Sequence, residues 1–168
     1  MSLDSVRAFL EKKAPDIEIV ELPASTATVA LAAEAHGVEP GRIAKTLLLS
    51  IAGRKVLIVA GGDARLDNRK TKAVFGGRAK MLGAEEVEAV TGHPVGGVCP
   101  FGLASKLPVY CDVTLKAFTE VLPAAGSINS AVRIEPARLA ELVEAEWIDI
   151  CQDASARTDS MPSAEEAD

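Results

Sequence analysis

Ile43-Ala44-Lys45-Thr46-Leu47-Leu48-Leu49-Ser50-Ile51-Ala52-Gly53-Arg54-Lys55-Val56-Leu57-Ile58-Val59-Ala60 is the stretch that decides the fold. Two apolar runs, 43–51 and 55–60, flank Ala52-Gly53-Arg54, a turn short enough to join them as a hairpin. Gly61-Gly62-Asp63 ends the second run. Asp67-Asn68 then caps a basic helix reaching to about Phe75, which Gly76-Gly77 stops. Upstream, the spacing predicts an amphipathic helix over 4–13, a strand over 17–22, and a helix over about 28–36 closed by Gly37. Downstream it predicts a helix over 84–91, strands over 107–111, 120–122, 131–134 and 147–150, and a helix from Pro136 to about 145. Residues 92–102 hold four glycines and two prolines, which suits neither helix nor regular strand. Strands and helices alternate, but hairpins interrupt them. The expectation is therefore a mixed α/β fold, with a curved, barrel-like mixed sheet surrounded by helices, rather than a doubly wound parallel sheet.

The chain has 168 residues, 48% hydrophobic and 25% charged, a globular profile that fits a single domain over 1–151. Aromatics are 4%, so Val, Leu, Ile and Ala must build the core. Residues 152–168, rich in Ala, Ser and acids, read as a disordered acidic tail. No apolar run reaches the roughly 20 residues that span a membrane, and no signal peptide is visible, so a cytoplasmic location is expected. Net charge is −6, yet 54–80 carries eight basic against two acidic residues. Such asymmetry fits either a phosphate-facing patch on an acidic protein or a solvated helix face.

Cys99, Cys111 and Cys151, with His36 and His93, form neither a disulfide framework nor a metal pattern, so no metal and no cofactor is expected. Lys45 stands in an otherwise apolar strand. It either points outward by alternation or lines a pocket, where its compact charge binds a phosphate. In the glycine loop, Gly96 and Gly97 could bring backbone N–H groups close to a ligand or oxyanion. No P-loop, dinucleotide fingerprint or G-x-S-x-G string is present. Cys99 is the one tempting nucleophile, and no base for it is recognisable in the sequence.

Three stretches, taken in order, resemble the YbaK/prolyl-tRNA-synthetase-associated aminoacyl-tRNA editing family, freestanding members included. They are Ile43-Ala44-Lys45-Thr46-Leu47-Leu48, then Leu66-Asp67-Asn68-Arg69-Lys70-Thr71-Lys72 with Ala84-Glu85-Glu86-Val87, then Thr91 through Gly102. The resemblance covers about 5–150. It implies a trans-acting deacylase that hydrolyses the ester of mischarged aminoacyl-tRNA at the acceptor end, with a cognate synthetase as a further partner and neither membrane nor DNA. Lys45 matches the family lysine that positions the terminal nucleotide, and Gly96 to Pro100 matches its G-x-x-x-P loop, with Gly96 and Gly97 holding the aminoacyl carbonyl. Water or a substrate hydroxyl attacks, so no side-chain nucleophile is needed. Thr46, Pro100, Ser25, Thr26, Ser127 and Asn129 are then expected around the substrate, and Arg65, Arg69, Lys70 and Lys72 against tRNA. The Asp of cysteine-specific members and the His of alanine-specific members have no match near 124–134, which leaves the amino acid open. Two rivals remain: a tRNA-binding module without turnover, and a nucleotide- or small-molecule-binding regulator using Lys45.

Overall fold

A computed structural model of the chain describes residues 2–153. Helix α1 spans Ser2–Lys13, α2 Val29–His36, α3 Asn68–Phe75, α4 Ala84–Thr91 and α5 Pro136–Leu142. The strands are β1 (Val20–Glu21), β2 (Ile43–Ile51), β3 (Arg54–Gly61), β4 (Ala79–Met81), β5 (Val109–Asp112), β6 (Leu122–Pro123), β7 (Ser130–Ala131) and β8 (Glu146–Ile148). Local chemistry sets the helix ends. Thr28 accepts from the Leu31 N–H to open α2, and Asp67 accepts from the Lys70 N–H to open α3. Gly37, Gly76 and Gly92 close α2, α3 and α4 in the left-handed region.

β2 and β3 form the expected hairpin, antiparallel from Ala44↔Gly61 to Ile51↔Arg54. The larger sheet runs β4-β2-β3-β5-β8, with β6 also on β2. It is mixed, because β3–β5, β5–β8 and β2–β6 are parallel. β1 and β7 make a separate antiparallel pair. The barrel-like expectation is corrected here: among the described residues the strand path ends at β4 and β8 without closing. Each of these end strands is three residues long. The sheet is thus open, and helices cover both faces. On one side Val6 and Leu10 of α1 and Leu139 of α5 pack with Leu48, Leu57, Val59 and Phe101. On the other, Phe75 of α3 packs with Leu49, Ile51, Val56, Ile58 and Ile150.

Several expected elements are shorter than the sequence pattern: α5 ends at Leu142 rather than about 145, and β5 and β8 are each one residue shorter and displaced. The strand over 17–22 reduces to Val20–Glu21, and those over 120–122 and 131–134 reduce to β6, β7 and single bridges. β4 has no counterpart in the sequence reading. Gln152 and Asp153 are still tied to the body, two residues past the expected boundary. The Gln152 N–H donates to the Arg65 carbonyl at 2.8 Å, and Asp153 accepts from Lys70. The remainder of the expected tail lies outside the described residues. No helix among the described residues is long and apolar enough to cross a membrane.

Candidate functional site

β2 has an asymmetry that makes the site. One edge is paired with β3 along Ala44–Ile51. The opposite edge is covered only at its ends, by β4 at Leu49–Ile51 and by β6 at Ile43–Ala44. Between them, Lys45, Thr46, Leu47 and Leu48 face no strand on that edge, and all four line a cavity of about 280 Å³. The other walls are Val29, Ala32 and His36 of α2, Thr26–Thr28 ahead of it, Gly96 with Val95 and Val98, and Ser130 of β7.

Lys45 is half-buried and its Nζ donates to the Ala64 carbonyl at 2.5 Å. That contact anchors the ammonium at the cavity. Thr46 Oγ1 is buried and makes no hydrogen bond. Thr26 is fixed against the 126–130 segment, with its hydroxyl donating to the Ile128 carbonyl at 3.0 Å.

Residues 94–97 form a tight turn closed by the Gly97 N–H on the Pro94 carbonyl at 2.9 Å. Gly96 takes φ +96°, the left-handed value required at the third residue of such a turn. A Cβ there would meet Ala27 at 2.9 Å, and one at Gly97 would meet the Ser127 backbone N at 2.7 Å. Both glycines are therefore demanded by close packing. Their roles differ: Gly96 lines the cavity and Gly97 does not. Gly97 has both backbone groups engaged inside the protein, since its carbonyl accepts from the Gly126 N–H at 3.0 Å. An oxyanion role for the Gly97 amide finds no support in this geometry.

The other expected residues divide. Lys45, Thr46, Thr26 and Gly96 meet on one cavity; Ser25, Pro100, Ser127 and Asn129 stand outside its lining. Ser25 is exposed and accepts from the Ala27 N–H at 3.2 Å. Pro100 is buried beside Cys99 and Phe101. Ser127 bonds Asn129 Oδ1 at 3.0 Å and the Ser130 hydroxyl at 2.6 Å, while Asn129 Nδ2 donates to the Leu22 carbonyl. They act as a bracket behind Ser130. His36 and Ser130 are cavity residues that the sequence reading missed; neither lies in a motif, and only the fold brings them in.

Cys99 sits outside the lining and is fully buried, with its thiol pushed up to about 12 by burial. A partner does exist: His93 Nε2 lies 3.6 Å from Sγ. That nitrogen already donates to the Phe101 carbonyl at 2.8 Å, and Nδ1 accepts from the Ser2 hydroxyl at 2.5 Å. Burial holds the imidazole below its ordinary range. The pair stitches α1 to the glycine loop and offers no thiolate. Among the described residues no group of three or more His, Cys, Asp and Glu could hold a metal ion.

The basic helix is less free than its sequence suggests. Lys70 Nζ bonds Asp149 at 3.0 Å, Asp153 at 2.9 Å and the Cys151 carbonyl at 2.9 Å. Its hydrogen bond to Asp153, above all, raises its pKa. Lys70 thus ties α3 to the chain after β8. Lys55 is paired with Glu86. Arg69 and Lys72 are exposed, and Arg65 is half-buried.

A family model described as the aminoacyl-tRNA editing domain matches residues 23–142. The chain belongs to the aminoacyl-tRNA editing domain family. This editing domain is 48% identical over 155 residues to "Uncharacterized protein YwhH" of Bacillus subtilis (strain 168), covering 91% of this chain and 99% of that one. It is 30% identical over 122 residues to "Putative Cys-tRNA(Pro)/Cys-tRNA(Cys) deacylase EbsC" of Enterococcus faecalis (strain ATCC 700802 / V583), covering 70% and 73%. Among solved structures, "a putative trans-editing enzyme for prolyl tRNA synthetase" superposes with a TM-score of 0.82 at 35% identity, covering 90% of this editing domain and 98% of that chain.

Proposed function

We propose that this editing domain is a trans-acting aminoacyl-tRNA deacylase. The observation that carries the reading is the uncovered edge of β2. It puts Lys45, Thr46 and the backbone of Gly96 on one small cavity whose lining contains no cysteine. An aminoacyl ester needs no covalent catalyst. Placing a water against its carbonyl, and stabilising the charge that develops on the carbonyl oxygen, is enough. Lys45 binds the phosphate of the 3′-terminal nucleotide, and the backbone at Gly96 faces the carbonyl. Water oxygen bonds to the carbonyl carbon, the ester C–O bond breaks, and the proton passes to the departing ribose oxygen. The products are a free amino acid and uncharged tRNA.

Outside the cavity, Arg69 and Lys72 meet acceptor-stem phosphates, with Arg65 beside them. Lys70 belongs to the fold rather than to this surface. A synthetase is a further partner on this reading, supported by the likeness to the putative trans-editing enzyme for prolyl tRNA synthetase. Purified protein mixed with tRNA charged with each of several amino acids should release at least one of them faster than buffer does. Complete failure across the panel, with uncharged tRNA still bound, would make this a binding module instead.

A further inference from the structure

Lys45 is held by a turn that the proposed reaction leaves without a task. Ala60 is its partner in the β2–β3 ladder, and β3 ends at the next residue, Gly61, opposite Ala44. The chain then curls back. The Ala64 N–H donates to the Gly61 carbonyl at 3.0 Å, and the Ala64 carbonyl accepts from Lys45 Nζ at 2.5 Å. Ala64 is buried and stands outside the cavity lining, so it can influence a bound ester only through the lysine. Gly62 seats this turn on the segment entering β2, since a Cβ there would meet the Pro40 carbonyl oxygen at 2.2 Å and the Ile43 carbonyl oxygen at 2.9 Å.

Two clamps fix the turn, and both start from one buried side chain. Asp112 ends β5, which lies between β3 and β8, and it is fully buried. Its Oδ2 accepts from the Thr114 N–H at 2.9 Å, and the Thr114 hydroxyl oxygen accepts from the Gly61 N–H at 3.1 Å. Its Oδ1 accepts from the Ile150 N–H at 2.8 Å. Residues 150–152 then pair with 65–67. The Asp67 N–H donates to the Ile150 carbonyl and the Gln152 N–H to the Arg65 carbonyl, both at 2.8 Å. Cys151 clusters with Ala60 and Ala64 beneath this pairing. The carbonyl that meets the lysine is thereby tied on both sides, at Gly61 before it and at Arg65 after it.

A lysine has a long flexible stem, and a fixed acceptor at its tip narrows the positions it can take. Catalysis by positioning is sensitive to a misplacement of about 1 Å. An ammonium has several donors, so holding the Ala64 carbonyl and meeting a phosphate are compatible. We infer that Asp112 and Thr114 are positioning residues for Lys45, acting through the Gly61–Ala64 turn. They touch no substrate and set where the ammonium stands. This rests on the deacylase reading above.

Thr114→Val keeps the shape of the side chain and removes the acceptor of the Gly61 N–H, whereas Thr114→Ser keeps that acceptor. Single-turnover deacylation is measured at saturating protein, on the ester that wild type hydrolyses fastest and well below each melting temperature. Thr114→Val should be slowed ~10-fold or more with its Kd for uncharged tRNA unchanged, and Thr114→Ser should recover the rate. A second readout is the NMR signal of the Lys45 ε-methylene in protein labelled at that carbon of lysine, identified by its loss in Lys45→Ala. A held side chain gives two separate proton resonances there. They should be separate in wild type and Thr114→Ser, and merged in Thr114→Val. A folded Thr114→Val protein with the wild-type rate, or with separate resonances, would overturn the assignment and leave the deacylase reading standing. So would Thr114→Ser slowed as much as Thr114→Val, or merged resonances in wild type itself. If wild type hydrolyses no ester of a wide panel, the deacylase reading falls, while the resonances still decide whether the clamps hold the lysine.

Discussion

Lys45 is the residue on which the mechanism turns, and its surroundings say how it should respond to change. Its Nζ donates to the Ala64 carbonyl, which the body of the protein holds in place with or without the lysine. We expect a loss of ~10²-fold or more in deacylation, with a melting temperature close to wild type. A folded variant with near-normal turnover would remove Lys45 from the mechanism. The buried thiols give a second check. Cys99, Cys111 and Cys151 are all buried, and burial pushes both Cys99 and Cys111 up to about 12. A thiol reagent at pH 8 should modify none of the three in the native protein and all three after denaturation. Rapid native labelling of Cys99 would reopen covalent catalysis. His93 supplies a pH prediction. Its pKa lies below the ordinary 6.5 in the fold, so the unfolded chain binds the proton first as pH falls. Its stabilising contribution is complete above about 6.5 and shrinks as pH drops toward the depressed folded value. Melting temperature should fall between pH 7 and 5, and His93→Gln should reduce that slope; an unchanged slope would count against it. His36, held low by burial, and Asp16, held low by its bond to Arg138, act in the same direction and keep some slope in that variant. At this scale the sequence revealed the residues inside motifs, Lys45, Thr46 and Gly96. It concealed those whose meaning depends on a distant partner. His36 reads as a basic residue ending a helix, Ser130 as one serine among several, and His93 as a loop residue until Ser2 and Phe101 close around it.

Elements were legible in proportion to how much of their signal is local. β2 matches its expected bounds because nine apolar-rich residues and a tight turn carry the pattern; α3 matches because Asp67 and Gly76 cap its ends, and α4 because an acidic first turn and Gly92 mark its own. β4 was illegible: Ala79-Lys80-Met81 is too short for its alternation to signal a strand, has no β-branched residue, and exists because Leu49–Ile51 offers it an edge. The basic helix shows the same limit in another form. Charge counting over 54–80 gave one patch, whereas packing divides it by purpose. Lys70→Ala should lower stability by about 1 kcal/mol, or roughly 2–4 °C in melting temperature, because it removes contacts to the chain end; the side chain is only partly exposed, and each exposed pair alone is worth less. The salt dependence of tRNA binding should not change. Arg69→Ala with Lys72→Ala should do the reverse. It should raise KM for aminoacyl-tRNA and flatten the salt slope, spare a minimal aminoacyl-adenosine ester, and leave melting unaffected. Equal losses on both substrates would mean that α3 shapes the cavity itself.

For the whole molecule, mixed strand directions follow from sequence because a hairpin and helical crossovers cannot both be satisfied by one direction. Openness does not follow, since it depends on whether β4 and β8 reach each other. The boundary of the body can be tested directly. Cutting after Ile150 removes the Gln152 bond to Arg65 and two of the acceptors that hold Lys70, while cutting after Asp153 keeps all of them. The shorter protein should therefore melt several degrees below the longer one; identical melting would show that these contacts contribute nothing.

The interruption in the cover over β2 has chemically defined margins. On one side the ladder reaches Ala44↔Pro123, and a proline has no N–H with which to carry it to Lys45. On the other it stops at Leu49↔Met81, and Gly83 soon turns the chain into α4. The mouth is a window framed by two strand-stopping residues. Its width is set in whole residues of backbone, so side chains around it can be exchanged to suit different guests while the sill that bears the lysine stays where it is.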